Sequence, residues 1–174
     1  MKKYLFCLLI LAVLQLQGYA KETEDYSLMK DITTLNYSFD FSAFKIKKIA
    51  AKDYVDMKLN IPYEKFMESF QNILLASANE NLLSSELKIT NDENSDVEIK
   101  FLPTSADQDG EHTVMCKLVH KPSGKLITSF TLNTNGGDDE KFQEELMSGL
   151  NKTGKKLAKQ LSKIKLATEK TPKK

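Results

Sequence analysis

The stretch 113-TVMCKLVHKPSGKLITSFTL-132 decides the fold. In its first half Val114, Cys116 and Leu118 point one way, with the two-residue period of a half-buried strand. In its second half Leu126, Phe130 and Leu132 share one side and Ile127 takes the other. Between them, 121-KPSGK-125 has the chemistry of a tight turn: Pro122 pre-sets one φ and Gly124 accepts a positive one. The stretch therefore reads as a β-hairpin.

Further strands precede it. The run 97-VEIKFLP-103 puts Val97, Ile99 and Phe101 on one side, and 107-DQDGE-111 turns the chain into the hairpin. Upstream, 86-ELKIT-90 is short and weak, while 35-LNYSFDF-41 alternates Leu35, Tyr37, Phe39 and Phe41 with polar residues. A short helical piece is expected near 50-AAKDYVDM-57. In 62-PYEKFMESFQNILLASANENL-82 the residues Tyr63, Phe66, Met67, Phe70, Ile73, Leu74 and Ala78 form one apolar stripe, the mark of a core helix opened by Pro62 at its first position. A second helix is predicted from about Asp138 to Ile164, with Phe142, Leu146, Leu150, Leu157, Leu161 and Ile164 as its buried stripe. Gly149 and Gly154 flank that stripe and are expected to let the helix approach the sheet. The order β-α-β-β-β-α predicts an α+β, two-layer sandwich: a mainly antiparallel sheet of four to five strands, with two amphipathic helices on one face.

The N-terminus has a different character. Lys2 and Lys3 precede an apolar run from Tyr4 to Leu16, and Gly18 and Ala20 follow at cleavage-site positions. Residues 1–20 thus read as a secretory signal peptide, too short in its apolar part to anchor the chain in a membrane. Cys7 lies inside the apolar run, so no lipid is expected. A loose segment, 21–30, a single domain, 31–165, and a disordered Lys-rich tail, 166–174, complete the predicted organisation. Loss of Lys2 and Lys3 leaves 23 basic against 24 acidic residues, a net charge of −1. That balance, and the absence of arginine, argue against a nucleic-acid partner. Cys116 is then the single cysteine, so there is no internal disulfide and the core must supply the stability.

The combination of 39-FDFSAFKI-46, the hairpin 113–132, the following Gly-Gly and 147-MSGLNKTGKKLAKQL-161 resembles small uncharacterised exported bacterial proteins. It is also similar in outline to α/β domains of some envelope lipoproteins, in which a D-x-x-G-K-x-L turn precedes a C-terminal helix. Here the turn reads His120-Lys121-Pro122-Ser123-Gly124-Lys125-Leu126, without the Asp. The resemblance covers residues 35–165. It implies this fold and an envelope address, and it carries no catalytic residue across.

The residues themselves offer little chemistry. In 135-NGGDDEKFQEEL-146 two glycines open a helix, as in phosphate-binding loops. Asp138, Asp139 and Glu140 would repel a phosphate there and instead suit the positive end of the helix dipole, with Asp138 or Asp139 as N-cap. The run 107-DQDGEH-112 lacks the spacing of a calcium loop. His112 and His120 lack metal-ligand spacing, and Cys116 reads as a core residue. No nucleophile-elbow motif occurs. Neither a cofactor nor an enzymatic activity is expected. Lys152, Lys155, Lys156, Lys159 and Lys163 form a basic helix face that reads as solvated.

What remains is the sheet's second face. A solvated face should alternate cleanly, polar outward, yet Leu102, Met115, Val119 and Ile127 fall on it. They form a candidate partner surface, unless the connector 43-AFKIKKI-49 folds over with Phe44, Ile46 and Ile49. The functional expectation is an exported, periplasmic or secreted, non-enzymatic protein working through contacts with a protein partner or a second copy of itself. The alternative is a carrier of a small apolar ligand held between helices and sheet.

Overall fold

A computed structural model describes residues 24–83, 85–107, 109–136 and 141–169. Residues 1–20, read above as a signal peptide, and the last five residues lie outside them. A 3-10 turn, Tyr26–Met29, leads into β1 (Thr34–Phe39), then β2 (Lys45–Ile46) and β3 (Ile49–Ala50). Helix α1 (Ala51–Tyr54) runs on into a π-helical stretch, Val55–Leu59. The long helix α2 (Tyr63–Leu82) is followed by β4 (Lys88–Ile89), β5 (Val97–Ala106), β6 (His112–His120), β7 (Lys125–Thr134) and α3 (Phe142–Glu169). No helix among the described residues is long and apolar enough to cross a membrane.

The α+β architecture is as expected, but the sheet is larger than four to five strands and is mixed. Among the described residues it has seven strands. β5, β6 and β7 form the predicted antiparallel meander. β1 runs parallel to both β4 and β5, and β2 parallel to β5. The parallel pairing follows from chain geometry. Between β1 and β4 the chain crosses through α2, and a crossover of this length returns the next strand in the same direction. β2 and β3 are a two-residue hairpin in what the sequence offered as a plain connector. Lys47 and Lys48 turn it at φ 51° and 68°, the left-handed pair that a tight hairpin needs and that Asn-Gly usually supplies.

The two long helices share one face of this sheet and pack on each other. Phe66, Phe70, Leu74, Ala78 and Leu82 of α2 and Leu146, Leu150, Leu157, Leu161 and Ile164 of α3 are buried, close to the predicted stripes. Against them lie Leu35, Val97, Ile99, Phe101, Val114, Cys116, Leu118 and Leu132 from the sheet. Pro62 sits one position earlier than predicted, as N-cap. The two glycines of α3 divide their roles. A Cβ on Gly149 would lie 2.8 Å from the His112 ring, at the sheet. One on Gly154 would lie 2.6 Å from Ser77 Cβ and 2.7 Å from the Leu74 carbonyl oxygen. Gly154 therefore admits the other helix rather than the sheet.

The described residues of the two flanking segments, 24–30 and 166–169, are better held than the composition suggested. α3 runs past residue 165 to Glu169, and Thr168 is buried. In the segment predicted to be loose, Met29 is fully buried and the Asp25 N–H donates to the Ile127 carbonyl. Lys165 Nζ donates to the carbonyls of Met29, Lys30 and Ile32 at 3.2, 2.5 and 2.8 Å. A charge-assisted donor among three carbonyls ties the N-terminal turn to the last helix.

Candidate functional site

The strand registers define the outer sheet face row by row. Alternate residues of β5 and β6 point inward: Val97, Ile99 and Phe101, and Val114, Cys116 and Leu118 are all buried. Their neighbours in sequence face outward. Glu98 lies opposite Val119, and Val119 opposite Leu126. The next row is Lys100, Lys117 and Ser129, with Ser38 of β1 at its end. The third is Leu102, Met115 and Thr131. Two apolar pairs thus flank a row of lysines. Glu98 reaches Lys100 at 3.6 Å. Among the described residues no carboxylate comes within ion-pair distance of Lys117.

Three of the four predicted surface residues stand on this face. Met115 is 36% exposed, and Leu102 and Val119 are half-buried. Ile127 does not: it is fully buried. The cause is a β-bulge between Leu118 and Val119, where Leu118 faces Thr128 but Val119 faces Leu126. One extra residue on β7 exchanges the two faces for the start of that strand. Leu126, read as inward, takes the outward place. No turn residue marks the bulge, so strict alternation could not locate it.

The connector does not cover this face. Phe44 stacks toward α2, with its ring centroid 5.6 Å from Phe70 and 6.5 Å from Phe66. Ile46 is buried in β2, and Ile49 is exposed. Met115 is the most exposed of the four outward apolar residues, and Leu102, Val119 and Leu126 are partly exposed.

A buried polar network joins the start of β6, the end of β7 and α3. His112 is buried where the start of β6 meets α3. Its Nδ1–H donates to the Gly110 carbonyl (2.9 Å), so the neutral ring accepts at Nε2 from the Thr153 hydroxyl (2.7 Å). Thr153 Oγ1 also lies 2.9 Å from Thr134 Oγ1. Burial holds the imidazole below its usual pKa, and nearby Lys156 adds to this; the Gly110 carbonyl and Asp107 act the other way. Between the folded and unfolded pKa the unfolded chain binds more protons, so stability rises with pH. Acidification below about pH 6.5 is expected to lower the urea midpoint of the wild type. His112→Gln should be less stable at pH 8 but should show a flatter pH dependence over the same range. Equal pH profiles would contradict this assignment.

The other candidates are structural. Asp107 Oδ1 accepts from the backbone N–H groups of Asp109 and Glu111, and Gly110 turns at φ +67°. This is a turn rather than an ion-binding loop. Among the described residues no three His, Cys, Asp or Glu side chains are placed to hold a metal ion. Addition of calcium, zinc or chelator should leave the melting temperature unchanged, as measured by calorimetry. Burial raises the Cys116 thiol far above its usual range, which leaves it unreactive. The Asp138, Asp139 and Glu140 reading lies outside the described residues; the first turn of α3 as described holds Glu144 and Glu145. Gly136 packs against the backbone of Asp109 and Gly110, where a side chain would not fit. Gly136 thus has a packing reason. Between the long helices, the gap lined by Ile61, Phe66, Phe70, Ile73, Leu146 and Leu150 amounts to about 20 Å³. Ligand pockets measure roughly 300–1,000 Å³, so this gap between the helices is too small to be one.

No family model matches the chain, and no curated protein matches it. Among solved structures it is similar to a Xanthomonas campestris protein of the DUF330 family, at 17% identity and a TM-score of 0.41, covering 57% of this chain and 65% of that one. It is similar to an uncharacterised protein at 16% identity and a TM-score of 0.45, covering 74% and 90%. It is also similar to PelC of Paraburkholderia phytofirmans, a dodecamer, at 13% identity and a TM-score of 0.40, covering 70% and 85%. The first two are of the uncharacterised kind that the sequence resembles. Likeness at this level assigns neither a family nor an activity.

Proposed function

We propose that this chain is an exported envelope protein that works through protein contacts rather than catalysis. The observation that carries the reading is the outer sheet face. Both long helices lie on the other face, and four apolar side chains, Leu102, Met115, Val119 and Leu126, stand outward, each at least partly exposed. The sequence of residues 1–20 supports export. The interior network of His112, Thr153 and Thr134 is closed and serves to seat α3 on the sheet.

A photo-crosslinking amino acid at position 115 tests the contact surface in cells. It should give a discrete adduct, whereas the same group at Lys65, on the exposed side of α2, should give none. Absence of an adduct at 115, or the same pattern at both positions, contradicts the reading. Export has its own check. The protein recovered from the envelope fraction should have a mass that begins at Lys21, and a mass that includes residues 1–20 would exclude cleavage at Ala20.

A further inference from the structure

We infer that the occupant of the outer face is an extended segment of a partner protein, with a carboxylate flanked at alternate positions by two apolar side chains. This rests on the outer face being the contact surface, and adds the chemistry of what sits there.

Lys100 and Lys117 are directly opposite each other on adjacent antiparallel strands, an arrangement that destabilises a sheet. Glu98 offsets this at Lys100, at 3.6 Å. Lys117 is half-buried between Met115 and Val119 along β6. An approaching apolar surface would desolvate both ammonium groups, at a cost only an anion would offset. A neutral or basic segment leaves the repulsion in place.

Spacing supplies the rest. Val119, Lys117 and Met115 are alternate residues of one strand, so their rows repeat about every 6.8 Å. A strand laid on a sheet face runs within roughly 30° of the strands beneath it, and its own side chains on one face repeat at the same distance. Three alternate residues of such a segment therefore meet the three rows in step. The first lies over Val119 and Leu126, the second over Lys100 and Lys117, the third over Leu102 and Met115. Apolar, acidic and apolar is the complementary order.

Methyl NMR on the chain from Lys21 tests this, with Met115 as reporter and Met57, exposed on the π-helical stretch, as control. The probes are nonapeptides Ser-Thr-Leu-Thr-Xaa-Thr-Leu-Thr-Ser with Glu, Ser or Lys at Xaa, together with phosphatidylglycerol vesicles. The Glu peptide should shift Met115 and leave Met57 unmoved, binding about fivefold more tightly than the Ser peptide. The double variant Lys100→Glu/Lys117→Glu should prefer the Lys peptide. Equal binding of the Glu and Ser peptides overturns the acidic partner and leaves the contact surface standing. If no peptide moves Met115, both are overturned. If the vesicles move Met115 and the peptides do not, the face meets a membrane and the protein-segment inference is wrong.

Discussion

Phe70→Ala is expected to lower the unfolding free energy by about 3–5 kcal/mol. Phe70 is 2% exposed and sits where both layers meet. Its ring approaches Phe41 at 5.4 Å, Phe44 at 5.6 Å, His112 at 6.3 Å and Phe39 at 6.5 Å between centroids. Phe39, Phe41 and Phe44 come from the end of β1 and the segment after it, and His112 from the start of β6. The void left by alanine cannot collapse from one side, so the cavity contribution is near its upper range. Leu157→Ala, on the facing helix and fully buried, should cost about 2–5 kcal/mol. Urea denaturation with an unchanged slope measures both. Losses under half a kcal/mol at the two sites would mean that the helical faces are assigned wrongly.

Gly154→Val is expected to cost about 3 kcal/mol, and Gly154→Ala less. In an exposed helix the alanine would be favourable by about 1 kcal/mol. Here its Cβ would stand 2.7 Å from the Leu74 carbonyl oxygen and 2.8 Å from the Ala78 nitrogen. Those are backbone atoms of α2, and they yield only if the helices move apart. The Ser77 hydroxyl donates to the Asn151 carbonyl at 2.8 Å beside the same crossing, so separation also strains that bond. Overpacking costs about 1–3 kcal/mol and exceeds the propensity gain, so the sign is destabilising even for alanine. A Gly154→Ala variant more stable than the wild type would show that the helices do not cross closely here.

The parts of this fold that local pattern fixes were legible. The 3.6-residue stripes gave both long helices, and Pro122 with Gly124 gave the β6–β7 turn. The small residues at 149 and 154 gave close packing, although the partner of Gly154 needed the tertiary arrangement. What local pattern did not carry is pairing between distant strands. Nothing in 35-LNYSFDF-41 distinguishes a strand with parallel neighbours from one in a meander, because its alternation is the same in both. The β2–β3 hairpin is hidden because lysines take the left-handed positions where glycine or asparagine would have announced it. The bulge at Ile127 is an insertion in register, and register is a property of two strands. The candidate surface was consequently three-quarters legible, with Leu126 taking the place assigned to Ile127. The N-terminal turn escaped notice because Lys165 anchors it from 135 residues away.

The outer face is expected to stand bare in the isolated protein and to be covered in the envelope. Thiol labelling of Met115→Cys measures this directly. The native Cys116 is fully buried and points to the opposite face, so it contributes no background. In the purified variant a maleimide should label position 115 readily while Cys116 stays silent. In intact envelopes the same thiol should react several-fold more slowly, and solubilisation that frees the protein should restore the rate. Equal rates in the purified protein and in the envelope would contradict the account.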